Sequence, residues 1–564
     1  MNENKAQKHI HRAVRNSLSW LDELPSQETK ILEQVKKEAE PLITVYNGTE
    51  ETRIEPAHMP VITGNRAARF RSLTAIAAIL VLVTGLWTVR LNRVDNLPQD
   101  TVTQPVTSFS TPGASGQESL PAAAILQDEN QNQPLDRIDL YVEEDLLWNE
   151  ETGLLAEGSE IDKSQGIPFK NATYRNVALS GGSAEGKLEY RNGLGAVLFT
   201  DDITLRLDDS DAYALDMPQK SLLIDAADGS FDYPLFDDRA ASAYPSILLR
   251  NGGNDSVWTR VLDVLQHRLI ERHTDAHLLT QAWKPVNVYL NGEYWGVYNM
   301  RETMDVHTVC RYEQIPDDQA ENVTILSING GYIHSTKDAR NEYAGLRKKI
   351  KKSDPANNPE DLAYLEQEID IDSFLDWLTV EMYFGNSDIG HGVVYRVPGG
   401  KWKCLINDLD YGLFNSSFNS VNSYLKAKGM GEKAIDNSIF LKILEVDQYR
   451  DLFFTKLGNL FRSLTTEVMH AELDSCVNWI EPSMQAHFDR WGPLNDKAII
   501  SELPTTSEGA WQYWQQRIKR LRNTMLKRPI LLYGYIQEFF GMSDTEMAVY
   551  FPTDIPKEIP ESAV

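Results

Sequence analysis

Asp408 and Asp410 stand two residues apart in CLINDLDYGLF, Cys404 to Phe414, a run that is otherwise largely apolar. Burying a carboxylate in such a run is costly unless a cation, an arginine or a set of hydrogen bonds compensates. Gly392 to Phe414 reads as a hairpin: GVVYRV, a PGG turn at Pro398 to Gly400, then a second strand that ends at the two aspartates. Side chains on a strand repeat every two residues, so both carboxylates are expected on one face. Asp388 falls in the loop leading from a helix into this hairpin, within YFGNSDIGHG. Carboxylate oxygens suit a hard divalent cation such as Mg2+, and phosphoryl-transfer sites use few of them, leaving other positions to phosphate oxygens. Plainer readings stay open: a turn, a structural salt bridge, or solvated acids. His391 reads as a loop histidine, since no second histidine is placed to share a metal with it.

The elements around these groups fall into two textures. From IDLYVEEDLLWNEETGLLAEG onward, ITLRLDD, KSLLIDA and VNVYLNGEYWGVYNMRE have the β-branched and aromatic alternation of strands. The last of these carries Asn291-Gly292 between two such runs, a hairpin turn needing positive φ. Trp295 and Tyr298 read as core. Past about residue 340, YAGLRKKIKKS, PEDLAYLEQEIDIDSFLDWLTVEMYFGN and two longer segments near the C-terminus have helical apolar spacing. Strands first and helices second is an α+β arrangement. A loop aspartate, a hairpin and then a metal-binding aspartate is also the order of parts in protein kinases.

Composition bounds the partners. The 564 residues carry a formal net charge of -27, which argues against nucleic acid as the main partner because phosphate repels such a surface. The 12 Trp and 23 Tyr supply a large packed core. Cys310, Cys404 and Cys476 are widely spaced and form no CxxC, so they read as small buried apolar residues and not as a zinc site.

Ser72 to Val89 is an uncharged run bracketed by Arg66, Arg69 and Arg71 before it and Arg90 and Arg93 after it. As a helix it would be about 27 Å long, close to the hydrocarbon core of a bilayer. The expected organisation is therefore a small helical cytoplasmic tail (1–65), a retained membrane helix (72–89) and an acidic flexible linker (90–136) rich in Pro, Ser, Thr and Gln. The main domain would span 137–545, outside the cell, with a C-terminal tail over 546–564.

Several segments, in order, resemble the spore-coat protein H (CotH) kinase-like family: LLWNEETGLLAEG, MPQKSLLI (Met217 to Ile224), LLRNGGND (Leu248 to Asp255), VNVYLNGEYWGVYNMRE, IDIDSFLDWLTVEMYFGNSD and KWKCLINDLDYGLF. The resemblance covers roughly residues 138–540 and implies a divergent protein-kinase-like fold that transfers phosphate from ATP, with Mg2+, to serine or threonine of surface or secreted proteins. It implies Lys220 as the lysine touching ATP phosphates, Glu302 as its pairing partner, and Asp388 as the catalytic aspartate. Asp408 would hold Mg2+, with Asp410 as second ligand or support. Without the resemblance, Lys220 reads as an exposed strand lysine, Arg301 and Glu302 as a surface pair, and Asn254 and Asp255 as a cap for the helix in VWTRVLDVLQHRL. Two features depart from the family's pattern. Asp208, Asp209, Asp211 and Asp216 precede the lysine strand, and the asparagine that follows the catalytic aspartate in many relatives is missing, with His391 and Gly392 in that stretch. These departures leave open an alternative function as a non-catalytic surface scaffold.

Overall fold

The computed structural model of the chain describes residues 134–560, apart from 157–160, 163–172, 175–181, 209–216, 242, 427–434, 493–503 and 505. The expected tail, membrane run and most of the linker lie outside the described residues, as do Asp209, Asp211 and Asp216. Among the described residues no helix is long and apolar enough to cross a membrane.

The strand-rich part is a closed barrel. Its seven strands are β1 (Asp136–Val142), β4 (Ser183–Arg191), β5 (Val197–Leu207), β6 (Leu222–Ala226), β7 (Ser246–Arg250), β8 (Trp283–Leu290) and β9 (Glu293–Glu302), in the order β1-β4-β5-β6-β7-β9-β8. The intervening β2 (Ile161–Asp162) and β3 (Thr173–Tyr174) pair only with each other. Alternation decides which side chains fill the barrel: Ile138 and Leu140, Leu188 and Tyr190, Ile203 and Leu205, Leu222 and Ile224, Val286 and Val288 are all buried in one cluster. Closure comes from β1, which runs antiparallel to β4 on one side and parallel to β8 on the other. The β8–β9 hairpin turns at Asn291 (φ 50°) and Gly292 (φ 84°), as the Asn-Gly pair requires. Asn291 also ties the turn to β1, accepting from Val142 N (2.9 Å) and donating to its carbonyl (2.8 Å).

The helical part begins with α1 (Leu262–His273), which enters from the barrel, and continues through α2 (Val306–Glu313), α3 (Lys337–Lys352), α4 (Pro359–Glu368), α5 (Ile371–Phe384), α6 (Ser420–Leu425), α7 (Ser438–Glu445), α8 (Asp447–Ser463), α9 (Thr466–Trp491), α10 (Ser507–Phe540) and α11 (Asp544–Tyr550). A small sheet, β11-β10-β12-β13, lies among them, built from β10 (Thr324–Ser327), β11 (Tyr332–His334), β12 (Val393–Arg396) and β13 (Lys403–Leu405). The long helix-like run over residues 359–384 is split at Asp370, whose carboxylate caps α5 through Ser373 N. Nearly all of α5 is buried, with Trp377 stacked on Phe440 as its main aromatic contact. The three cysteines are free and buried. Packing continues past residue 545, because Met547 and Phe551 belong to the main core.

One buried side chain fastens α10 to both ends of the central loop region. The Arg528 guanidinium donates to the carbonyls of Met382 (2.6 Å), Tyr383 (2.9 Å) and Phe418 (2.6 Å) and to Ser420 Oγ (2.5 Å). It has no carboxylate among these partners, and burial lowers its pKa to about 10. Gly385, which ends α5 in the left-handed region, leaves room for it: a Cβ there would lie 2.6 Å from Arg528 Cζ. Arg528→Met is expected to strand these carbonyls and lower stability by about 3 kcal/mol or more, read as a lower urea midpoint. Arg528→Lys should recover only part of the loss, because an ammonium lacks the planar fork of donors.

Candidate active site

The hairpin β12–β13 forms as expected, turning at the PGG segment, but its second strand ends at Leu405. Asp408 and Asp410 therefore sit in the turn that follows and do not share a strand face. In that turn Asp410 N donates to Asp408 Oδ1 (2.9 Å), closing an Asx turn. Asp408 keeps 24 % of its side-chain surface exposed, whereas Asp410 is fully buried at 0 %.

Asp410 has partners from the barrel. Arg250, at the end of β7, donates to it bidentately (3.1 and 2.9 Å), and Asn254 N donates to Oδ2 (2.7 Å). This matches the supporting role and the salt-bridge reading better than a direct metal ligand, since a cation would have to displace a guanidinium. Gly253 (φ 57°) makes the approach possible, because a Cβ there would collide with both the Arg250 guanidinium and Asp410 Oδ2. Burial and the neighbouring carboxylates of Asp408 and Asp263 push the Asp410 carboxyl well up, against the pull of Arg250.

Helix α1 grips the same turn. Asp263 accepts from Leu409 N (2.9 Å), Gln266 donates to the carbonyls of Leu409 (2.8 Å) and Leu262 (2.9 Å), and His267 Nε2 lies 3.0 Å from the Asn407 carbonyl. Asp263 also pairs with buried Arg301. Burial acts to raise the Asp263 carboxyl, but Arg301, His267 and Arg250 outweigh it and hold it well below the usual range. Burial lowers the His267 pKa, and Arg301 adds to that. The start of α1 is fixed by Asp255, which accepts from Thr259 N (2.9 Å) and Leu262 N (2.8 Å), so the capping role expected of it is observed.

Asp388 lies in the loop after α5, as expected, and is buried. Asn386 joins it to the metal-candidate turn, accepting from Asp388 N (3.1 Å) and donating to the Asp408 carbonyl (3.0 Å). His391 Nδ1 stands 3.5 Å from Asp388 Oδ2 and 3.9 Å from Asp408 Oδ2. Burial raises the Asp408 carboxyl, but the neighbouring His391 imidazole and the charge of Arg250 bring it below its ordinary value. Oxygens of Asp263, Asp408 and Asp410 also lie within 4.8 Å of one another, a spacing one cation could bridge. Beneath the loop, Glu381 is buried beside Asn386, and its pKa is raised to about 8, chiefly by burial. Tyr424 Oη lies 3.0 Å from Glu381 Oε2 and 3.2 Å from the Asn386 carbonyl. One hydroxyl proton cannot serve both acceptors, so a protonated Glu381 that donates to Tyr424 satisfies the group.

Lys220 precedes β6 and is buried, 7 % exposed, not the exposed strand lysine of the plain reading. Its carbonyl accepts from Tyr298 Oη (2.9 Å), and its Nζ bonds the Met217 carbonyl. Its neighbours Gln219 and Ser221 are both hydrogen-bonded to Asn251, which in turn accepts from Gly253 N (2.9 Å). Lys220 is thus tied to the loop that carries Asn254 to Asp410. The expected pairing with Glu302 does not occur. Glu302 instead bonds Arg239 (2.9 Å), Arg311 (3.3 Å) and Ala282 N (3.1 Å). Strand register is the reason: Glu302 is level with Ile247 and Ile224, four residues along the chain from Lys220, or about 13 Å if extended. Nor are Arg301 and Glu302 a surface pair, since both are buried.

The family model for CotH kinase protein matches residues 212–532, more than half of the chain. The chain belongs to the CotH kinase protein family. No curated protein matches it as a relative. The CotH match spans β6 to most of α10 and so contains Lys220, Asp388, Asp408 and Asp410. It leaves out β1, β4 and β5, three of the seven barrel strands.

Sequence reasoning missed Arg250, Asp263, Gln266, His267, Asn386 and Glu381. A signal existed for three of them: Asp263, Gln266 and His267 fall at i, i+3 and i+4 in VLDVLQHRL, a polar stripe on one helical face. Two outcomes test this geometry. Gly253→Ala should cost on the order of 3 kcal/mol by breaking the Arg250–Asp410 contact. Gly195→Ala, at φ 87° with no atom near its Cβ, should cost only about 1 kcal/mol of backbone strain. Second, Glu381 keeps its proton in the folded chain up to about pH 8, whereas the unfolded chain releases it near the ordinary glutamate value. The folded state then binds the extra proton between those values, so this group's stabilisation is lost as pH rises through that window. Relative to the parent, Glu381→Gln should gain on the order of 3 kcal/mol between pH 4.5 and 8, measured by denaturation across that range.

Proposed function

We propose that the chain is an ATP-dependent protein serine/threonine kinase that works with a divalent cation. The observation that carries this reading is the placement of Asp388 and Asp408 at 3.5 and 3.9 Å from the same His391 ring nitrogen, while the loop beside Lys220 is bonded to Asp410. The donor set fits a divalent cation: Asp408 is partly exposed, is held below its ordinary carboxylate pKa, and offers an oxygen donor of the kind hard cations take. When bound, the cation neutralises charge on the transferring phosphoryl group. Asp388 is positioned by Asn386 to accept or orient the proton of a substrate hydroxyl. Lys220 supplies the cationic contact to ATP phosphates. Arg250 and α1 hold the Asp408 turn fixed while this happens.

The uncharged run at 72–89 supports a single-pass anchor, with the N-terminus in the cytoplasm and the kinase domain acting on surface or secreted proteins. One observation favours the non-catalytic scaffold instead: Glu302, expected to orient Lys220, is held by Arg239 and Arg311.

Full-length protein incubated with γ-labelled ATP, Mg2+ and a serine-rich protein substrate separates the two readings. Transfer should fall by about 10²–10⁴-fold in Asp388→Ala, with nucleotide binding kept, whereas Asp408→Ala should lose cation-dependent nucleotide binding. Absence of both transfer and nucleotide binding in the parent chain would leave the scaffold.

A further inference from the structure

We infer that His391 is a metal ligand, and that it makes this site prefer a first-row transition ion, represented by Mn2+, over Mg2+. The inference rests on the placement of the cation at Asp408 proposed above and goes beyond it by naming the ion and a nitrogen donor. A turn builds the arrangement: His391 N donates to the Asp388 carbonyl (3.3 Å), which folds the imidazole back over Asp388. Gly392 must follow without a side chain, because a Cβ there would lie 2.6 Å from Trp377 Cζ2 in the core. The ring is thereby held over the site although its side chain is 51 % exposed.

The spacing suits ligation. An octahedral ion with bonds of about 2.1 Å holds neighbouring donors about 3.0 Å apart and opposite donors about 4.2 Å apart. The imidazole nitrogen lies 3.5 and 3.9 Å from the two carboxylate oxygens, between those limits. Asp410 is not available to complete an all-oxygen set, since Arg250 and Asn254 N already occupy it. Mg2+ takes oxygen ligands and has little use for an imidazole, whereas the first-row transition ions accept nitrogen and oxygen together. The nitrogen therefore adds more affinity for a first-row transition ion, even Mn2+ at the low end of that series, than for Mg2+.

The test uses full-length protein and the metals alone. Mn2+ and Mg2+ are titrated separately, and bound Mn2+ is followed by electron paramagnetic resonance, including nitrogen modulation of the electron spin echo. The parent chain should bind Mn2+ about tenfold or more tightly than Mg2+ and show a directly coordinated imidazole nitrogen. His391→Gln should abolish the nitrogen signal and reduce Mn2+ affinity about tenfold, with Mg2+ affinity changed by less than about twofold. A parent chain without nitrogen coupling, or equal losses for both ions in His391→Gln, overturns the inference. Asp408→Asn distinguishes the failures. If it abolishes metal binding while His391→Gln changes nothing, only the histidine assignment is wrong; if it too changes nothing, the cation site itself is misplaced.

Discussion

The pairing of Arg250 with Asp410 is the contact on which the junction of barrel and helices depends. It joins the end of a barrel strand to a turn 160 positions later in the chain, with the carboxylate fully buried and the guanidinium mostly so. A bidentate guanidinium–carboxylate contact of this kind is directional, so it fixes orientation as well as distance. Losing either partner would leave a buried charge uncompensated, which is far more costly than the pair is stabilising. That asymmetry accounts for the crowded neighbourhood. Gly253 lies against the contact, Asn254 N adds a third donor, and Asp263 draws Arg250 and Arg301 to the same place.

Once Asp410 is committed in this way, the two aspartates of one short motif have different work. The Asx turn keeps Asp410 facing the barrel and leaves Asp408 partly open. Asn386 then couples the open carboxylate's backbone to that of Asp388, so the two acids proposed for chemistry are registered by one amide side chain. Glu381 and Tyr424 brace Asn386 from below, and Arg528 fastens the end of α5 just before it. Each support lies outside the Asp388–Asp408 pair and is buried, which is how a loop can hold side chains with the precision of a helix or strand.

Much of this was legible in the sequence, and the limit was range. The β8–β9 hairpin, the hairpin around PGG, the loop placement of Asp388 and the long helices all follow from local signals: an Asn-Gly pair, alternation, and 3.6-residue periodicity. Barrel closure was not legible, because β1 meets β8 in parallel across some 150 residues and neither strand announces its partner. Glu302 was assigned to Lys220 by analogy of order, but order along the chain does not fix register, and four residues of offset place it with Arg239 and Arg311. The strand expected to reach Asp410 stops at Leu405, opposite Val393 where its partner strand begins, and the Asx turn at Asp408 follows. Asp410's salt-bridge partner is a residue of another lobe, visible only once the chain is folded.

Charge balance at this junction bears on how a nucleotide could be held there. Three carboxylates, Asp263, Asp408 and Asp410, face two guanidiniums, Arg250 and Arg301. The group therefore carries one negative charge or retains a proton, which is the physical sense of the raised Asp410 pKa. Asp388 adds a further carboxylate nearby. A triphosphate approaching such a site unaided would meet repulsion in surroundings where charges are poorly screened. A divalent cation against Asp408 cancels that charge, relieves Asp410 of its need for a proton, and leaves Arg250 free to hold the turn. On the proposed reading the cation is thus a condition for nucleotide binding as well as for phosphate transfer, and metal and nucleotide should bind with strong positive coupling.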